Sequence, residues 1–296
     1  MLKELLPDIM SCSAAGLVGE GSECLGLDDE ISRDHDWGPA FCLWIPDELF
    51  HTEIDRIEHA MEALPPSFQG HPSRMRREKR IGRTGPFPLR GFYRRFLGLD
   101  HLPVTWREWM SIPEYHLCSC TNGAVFLDTG GEFSEVRKKL LDYYPEDVRR
   151  KKIAARCMIM AQAGQYNLPR CLQRGNATAA MLAAARFSEA ALSMAFLLNR
   201  RYMPFYKWAG RMAETLPILG QSTVSTLNTL AGTPWSSLNM EMEAAQAVEE
   251  LCTLVIEELR RQELCDMRDN WLWAAGPVVQ MGVSDPEIRS RNVMED

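Results

Sequence analysis

From about Phe133 onward the chain carries apolar residues at helical spacing in one segment after another, and no strand pattern returns. EFSEVRKKLLDYY, EDVRRKKIAARCMIMAQAG, NATAAMLAAARFSEAALSMAFLLNRR, PFYKWAGRMAETL and MEAAQAVEELCTLVIEELRRQ all share this period. Pro145, Pro169, Pro204, Pro217 and Pro234 fall at or near the segment ends, where a residue without an amide hydrogen is best tolerated. The second half is therefore expected to be a helical bundle of about four to six helices. No internal repeat or low-complexity tract competes with this reading, and the Ala-rich run at 177–185 is ordinary helix.

Upstream the pattern is mixed. Ala14 to Val18 reads as a short strand running into Gly19-Glu20-Gly21-Ser22. In DHDWGPAFCLWIP, Asp34 to Pro46, the alternation of Phe41, Leu43 and Ile45 with Cys42 and Trp44 suits a buried strand closed by a proline. On such a strand Asp34 and Asp36 share a face, while Arg33 and His35 point the other way. Asp47 is placed to cap the helix DELFHTEIDRIEHAMEAL, whose Leu49, Phe50, Ile54, Ile57, Met61 and Leu64 keep the helical period. Pro65-Pro66 ends it, and loop and short elements with Gly82, Gly85, Pro86 and Pro88 follow. Asn122-Gly123 then opens the strand AVFLD, which stops at Asp128 before the turn Thr129-Gly130-Gly131. The expected fold class is α+β: a small mixed-sheet domain over residues 1–132, followed by an all-α helical bundle domain over 133–296. A length of 296 residues, near the size where one core stops growing, favours two domains.

Composition excludes some classes. With 46% hydrophobic and 25% charged residues the chain has the balance of a globular protein, not of a disordered one. The first residues put Leu2, Leu5, Leu6, Ile9 and Met10 on one helical stripe, but Glu4, Pro7 and Asp8 interrupt any signal-peptide pattern, and no run is long enough for a membrane span. A cytoplasmic protein without a membrane partner is expected. The 9 cysteines are scattered and odd in number, so reduced buried thiols are expected, and Cys118-Ser119-Cys120 has no second pair with which to bind zinc. The net charge of −7 is unevenly spread. Acids dominate residues 1–60, whereas Arg74, Arg76, Arg77, Lys79, Arg80, Arg83, Arg90, Arg94 and Arg95 crowd a stretch opposed only by Glu78. That asymmetry reads either as an acidic metal pocket facing a basic anion-binding wall or as a solvated loop.

The chemistry is concentrated in GEGSECLGLDDEISRDHDWGP, Gly19 to Pro39. Carboxylates so close repel unless a cation sits among them. The backbone N–H groups of Gly21 and Ser22, with the serine hydroxyl, make a phosphate seat. Asp34 and Asp36 supply the hard oxygen ligands that Mg²⁺ demands. Asp28 and Asp29 read as solvated loop residues, and Trp37-Gly38-Pro39 as packing.

This order and spacing resemble the polymerase-β-type nucleotidyltransferase superfamily, with its Gly-Ser turn and its Asp-x-Asp on the next strand. GEGSECLGLDDEISRDHDWGP, VFLDTGGEFSEVRKKLLDYYPEDVRR and FLLNRRYMPFYKW look more closely like a poorly characterised bacterial family of nucleotidyltransferase-like proteins, over about residues 14 to 215. The domain order is similar to that of kanamycin-type antibiotic nucleotidyltransferases. The resemblance implies transfer of a nucleoside monophosphate, most often AMP from ATP, onto a hydroxyl of a small molecule or protein, with pyrophosphate leaving. It implies Asp34 and Asp36 as catalytic residues and ligands for Mg²⁺ or Mn²⁺, and Gly21 and Ser22 as triphosphate-binding residues. The superfamily also has a third carboxylate on a later strand. Asp128 is the choice for it, with Glu114 and Glu132 as alternatives. Lys207, between Tyr206 and Trp208, is expected to reach the triphosphate from the bundle, whereas Arg200 and Arg201 read equally as cations at a helix end.

Because GPFPLRGFY, where a third strand could fall, holds no acid, a second expectation stands beside the first: a nucleotide-binding module on the same fold that transfers nothing. A third, an RNA-directed enzyme, draws on the arginines at 74–95, but the acidic total and the lack of aromatics within 71–86 argue against nucleic acid as a partner. By analogy with the antibiotic-modifying enzymes, a homodimer is consistent with this reading.

Overall fold

The computed structural model describes residues 1–33, 37–80, 82–235 and 238–296, the last without the side chains of 238–242. The chain divides into two units. The first comprises Met1–Val104 and Ile112–Tyr143, the second Thr105–Ser111 and Tyr144–Asp296.

The first unit opens with two single-turn helices, α1 (Leu2–Leu5) and α2 (Pro7–Met10), and then strand β1 (Ala14–Leu17). A 3₁₀ turn at Ser22–Leu25 and another at Ile31–Arg33 precede β2 (Cys42–Ile45) and helix α3 (Asp47–Glu62). A two-stranded hairpin, β3 (Ser67–Phe68) with β4 (His71–Pro72), leads to β5 (Gly85–Pro88) and α4 (Leu89–Leu97). Beyond α5 (Trp106–Ser111), which belongs to the second unit, come α6 (Glu114–Thr121), β6 (Ala124–Asp128) and α7 (Glu132–Leu141).

Four strands form one mixed sheet in the order β5-β2-β1-β6, with β1 antiparallel to both neighbours and β5 parallel to β2. Alternation along β2 divides the unit's core between two faces. Leu43 and Ile45 pack with Leu6, Ile9 and Met10 of the N-terminal helices and with Ile57 and Met61 of α3. Trp44 faces the other way, stacked on Phe133 at 3.8 Å and edge-on to Phe92 at 5.3 Å. Gly123 lets β6 begin beside β1: its φ is +60°, and a β-carbon there would overlap the Leu17 carbonyl oxygen.

Several expectations need correcting. The strand is confined to Cys42–Ile45, and Trp37 to Phe41 approach it as irregular chain, since Gly38 and Pro39 interrupt the ladder. Asp47 begins α3 without capping it; its carboxylate instead accepts the Arg90 amide at 2.8 Å, at the start of α4. The two units divide at Tyr143/Tyr144, with Thr105–Ser111 belonging to the second. α7 belongs with the sheet because Phe133 stacks on Trp44 and Arg137 donates to the carbonyls of Asn122 and Gly123.

The second unit is helical throughout. α8 (Glu146–Met160) packs between α10 (Ala177–Leu198) and α14 (Leu272–Met281). A π-helical stretch, Ala161–Asn167, joins α8 to α9 (Leu168–Gln173). Asn176 caps α10, its side chain accepting the Ala179 amide at 3.1 Å. α11 (Tyr206–Ala213), α12 (Gly220–Gly232), α13 (Leu238–Arg261) and α15 (Pro286–Ser290) complete the bundle. Among the described residues α10 alone is long and apolar enough to cross a membrane, and 56% of its most apolar window is buried inside the unit.

Candidate functional site

The Gly19–Ser22 segment leaves the end of β1, and the antiparallel register Gly16↔Cys42 sets the start of β2 beside that same end. The turn and the chain arriving at β2 therefore share one edge of the sheet. The Asn122 side chain clamps Gly19 from both sides, accepting its amide at 3.0 Å and donating to its carbonyl at 2.7 Å. Gly21 precedes the 3₁₀ turn that Ser22 begins, and the Glu23 side chain folds back over it, so that a β-carbon on Gly21 would overlap the carboxylate.

Arg74 holds these pieces together. It is 8% exposed, and its guanidinium donates to the Gly38 carbonyl at 3.2 Å and to Glu23 Oε1 at 3.3 Å. Its own amide donates to the Pro39 carbonyl at 3.0 Å. One buried cation thus ties the turn after β1 to the chain that leads into β2. Arg95 pairs with Glu20 and donates to the Gly82 carbonyl, Arg80 pairs with Glu58, and Arg94 with Asp100. The basic stretch is accordingly not a bare anion-binding wall, because much of it is spent on acids of the same unit. Near the turn, burial pushes the Cys42 thiol up to about 12 and the Cys24 thiol further, so both stay protonated.

Asp34 and Asp36, with His35, lie outside the described residues. On their flanks the Arg33 guanidinium lies 5.2 Å above the Trp37 ring, and Trp37 meets His71 edge-on at 4.9 Å. No cluster of three or more metal-ligating side chains occurs among the described residues.

The proposed third carboxylate is not at this edge. β6 runs antiparallel to β1 with Asp128 opposite Ala14 and Ala124 opposite Leu17, so Asp128 stands where β1 begins and the glycine turn follows where it ends. Over three residue steps at about 3.3 Å each, the two ends of β1 are roughly 10 Å apart. Both oxygens of Asp128 are occupied: Oδ1 accepts the Gly131 amide at 2.9 Å and Oδ2 the Ser134 amide at 2.7 Å, which caps α7. Glu132, the first residue of α7, belongs to that far edge as well. Glu114 starts α6 and Thr121 ends it, next to the Asn122 that clamps Gly19, which leaves about 10 Å of helix between Glu114 and the turn. β5, the strand beside β2, holds no acid. The carboxylates the structure does bring to the turn are Glu20 and Glu23.

Lys207 belongs to the second unit, exposed in the first turn of α11, with its ammonium 4.7 Å from the Trp208 ring centre. Arg200 pairs with Glu146 at 2.7 Å. Sequence reasoning missed Arg74, Glu23 and Asn122. Arg74 stood undistinguished in a run of nine cations; Arg80 is buried as well, and it is the bonds to Glu23 and to the Gly38 and Pro39 carbonyls that set Arg74 apart.

Residues 109–209 match a family model described as a domain of unknown function, DUF4037. The match covers about a third of the chain, from Trp109 to Ala209, and so spans the end of the first unit and the start of the second. It includes Asp128 and Lys207 and stops short of Gly21, Ser22 and Arg74. Compared with curated proteins and with solved structures, the chain matches none.

Proposed function

We propose that the protein is a metal-dependent nucleotidyltransferase that moves a nucleoside monophosphate, AMP from ATP, onto a hydroxyl of a small molecule or protein. The observation carrying this reading is the shared sheet edge: the β1–β2 register sets a glycine-serine turn beside the chain entering β2, and buried Arg74 bonds to both. In this reading Gly21 and Ser22 offer amides and a hydroxyl to phosphate oxygens, and Arg74 offers its guanidinium once Glu23 is displaced. Asp34 and Asp36 would hold Mg²⁺ or Mn²⁺, their carboxylates being the hard oxygen donors such ions take. A bound divalent ion supplies charge neutralisation to the triphosphate. Lys207 as a triphosphate ligand, and the homodimer, belong to the same proposal. The test is transfer of label from α-phosphate-labelled ATP into a fractionated bacterial extract with Mg²⁺ or Mn²⁺. Label should appear with the native chain and vanish with Asp36→Asn; equal transfer by that variant refutes the reading.

A second reading has its own observation. Asp128 is committed to capping α7 at the far edge, and β5 holds no acid. A nucleotide-binding module that returns ATP unchanged fits that arrangement. Metal-dependent ATP binding with no label transferred would favour it.

A further inference from the structure

α8 buries its charges. Lys151 is 0% exposed, Lys152 4% and Arg149 1%, and the Arg156 side chain is largely enclosed as well. Cations inside a packed unit are expensive unless each finds an anion or a full set of acceptors. Arg149 does so: it donates to the Leu197 carbonyl at 3.0 Å and to Glu146 at 3.1 Å, and also to Gln262. Lys151 meets neutral oxygens, Gln280 Oε1 at 2.9 Å and the Asn292 carbonyl at 2.5 Å. Lys152 and Arg156, one helical turn apart on the same face, share the carboxylate of Asp296. Arg156 reaches it at 2.6 Å and also donates to Ser193 Oγ at 2.8 Å, whereas Lys152 stands 3.9 Å away. That distance is an ion pair without a hydrogen bond, and the Lys152 ammonium donates to no other protein group among the described residues; the Tyr144 ring centre lies 5.4 Å from it.

Three cations thus act on one carboxylate. Burial opposes the charged form of Asp296, yet Arg156, Lys152 and Lys151 outweigh it and hold its carboxyl below the usual value. The nearest other charges cancel one another, Arg291 pairing with Glu295 at 2.9 Å. The Asp296 side chain thus serves Arg156 closely and leaves Lys152 with an ion pair but no hydrogen bond to it. A phosphate group, carrying more charge and more oxygens, matches this face better. Space for the rest of such a ligand adjoins it. A shallow groove of about 600 Å³, largely open to solvent, is lined by Asp296, Arg291, Arg107, Ser111 and Trp106, and the Trp106 indole has the guanidinium of Arg107 at 4.4 Å and that of Arg291 at 5.8 Å. That volume is in the range of small-molecule sites.

We propose that Lys152, Arg156 and Ser193 form a binding site for a phosphate monoester, that its organic body lies against Trp106, and that the Asp296 carboxylate occupies the phosphate position and has to leave for the ligand to bind. This inference does not rest on the nucleotidyltransferase reading, whose site is in the other unit.

The experiment is calorimetric titration of the full chain, native, Asp296→Asn and Arg156→Gln, with inorganic phosphate, phenyl phosphate and phenol at constant ionic strength. Phenyl phosphate should saturate one site on the native chain, bind at least tenfold more tightly to Asp296→Asn, and lose saturable binding in Arg156→Gln. Inorganic phosphate should bind at least tenfold more weakly than phenyl phosphate, and phenol not at all. Equal affinity of the two phosphates overturns the role of the Trp106 groove and leaves free phosphate as the ligand. Equal affinity of the native chain and Asp296→Asn overturns the occupancy by Asp296. If Asp296→Asn fails to fold, the native chain decides: an unfolding temperature unmoved by phenyl phosphate, relative to chloride of equal ionic strength, overturns the site.

Discussion

Asp128 offers the sharpest test of how the first unit works, because one carboxylate cannot easily cap a helix and serve a reaction about 10 Å away along the sheet. Its two oxygens accept the amides of Gly131 and Ser134 at 2.9 and 2.7 Å, at the start of α7. Asp128→Ala removes both bonds and the negative charge facing the helix N-terminus. Loss of a cap costs about 1 to 2 kcal/mol, and the charge–dipole contribution adds about 0.5 kcal/mol. Asp128→Asn keeps one acceptor oxygen and its shape, so its cost should be roughly half as large, about 1 kcal/mol. Hydrogen exchange of the peptide covering 132–141, followed by mass spectrometry, reads this locally. The alanine variant should exchange about 10- to 50-fold faster and the asparagine variant about fivefold faster, at 1.4 kcal/mol per factor of ten. Metal-dependent transfer, measured on the same preparations, should fall by no more than the unfolded fraction. The reasoning is refuted if Asp128→Asn exchanges like the native chain while its transfer drops by orders of magnitude, since that pattern belongs to a reacting carboxylate.

Three further outcomes are expected. Gly123→Ala places a β-carbon against the Leu17 carbonyl at a φ of +60°, and should lower stability by at least about 1 to 2 kcal/mol, read as a drop in the urea midpoint. Arg74→Gln should weaken ATP binding at least tenfold, whereas Glu23→Gln, which frees the guanidinium, should strengthen it; equal losses in both variants would refute the seat described above. Burial pulls the Lys151 ammonium down to about 8 from 10.5, against the attraction of Asp296 and Glu295. Between about pH 8 and 10.5 the unfolded chain therefore holds the proton that the folded chain has shed, and stability should rise with pH across that window by on the order of 1 kcal/mol or more. Lys151→Met should flatten the rise in a pH series of denaturant midpoints.

The strands β1 and β6, the buried tetrapeptide Cys42–Ile45 and the amphipathic α3 were legible because each is announced by a local period and bounded by Gly, Pro or Asn. Strand order is not a local property. Nothing in AVFLD says that it pairs with β1 antiparallel, yet that pairing alone sends Asp128 to the edge away from the glycine turn. α7 reads as one more bundle helix, and it is the stacking of Phe133 on Trp44 and the Arg137 bonds to the Asn122 and Gly123 carbonyls that assign it to the sheet. Glu23 and Arg74 are 51 positions apart and meet only in the folded chain. The cations of α8 look in the sequence like a solvated face; they are buried because Gln280, the Asn292 carbonyl and Asp296, all far along the chain, come back to receive them.

The π-helical stretch at Ala161–Asn167 bears on how this chain can change length. A π turn spans one residue more than an α turn and returns the backbone to nearly the same heading. Here the surplus turns the Gln165 amide inward, where it accepts the Leu272 amide at 3.0 Å and donates to Glu249 and the Asn270 carbonyl, both at 2.8 Å. Gly164 beside it has Phe187 and Val248 packed where a side chain would stand. Deleting one residue from this stretch would restore plain α-helix and leave the faces of α8 and α9 in register, whereas the same deletion anywhere else in either helix would rotate the following residues by about 100°. The segment is thus a length adjuster: the one place along 146–173 where the chain can lose a residue without rotating one helix against the other.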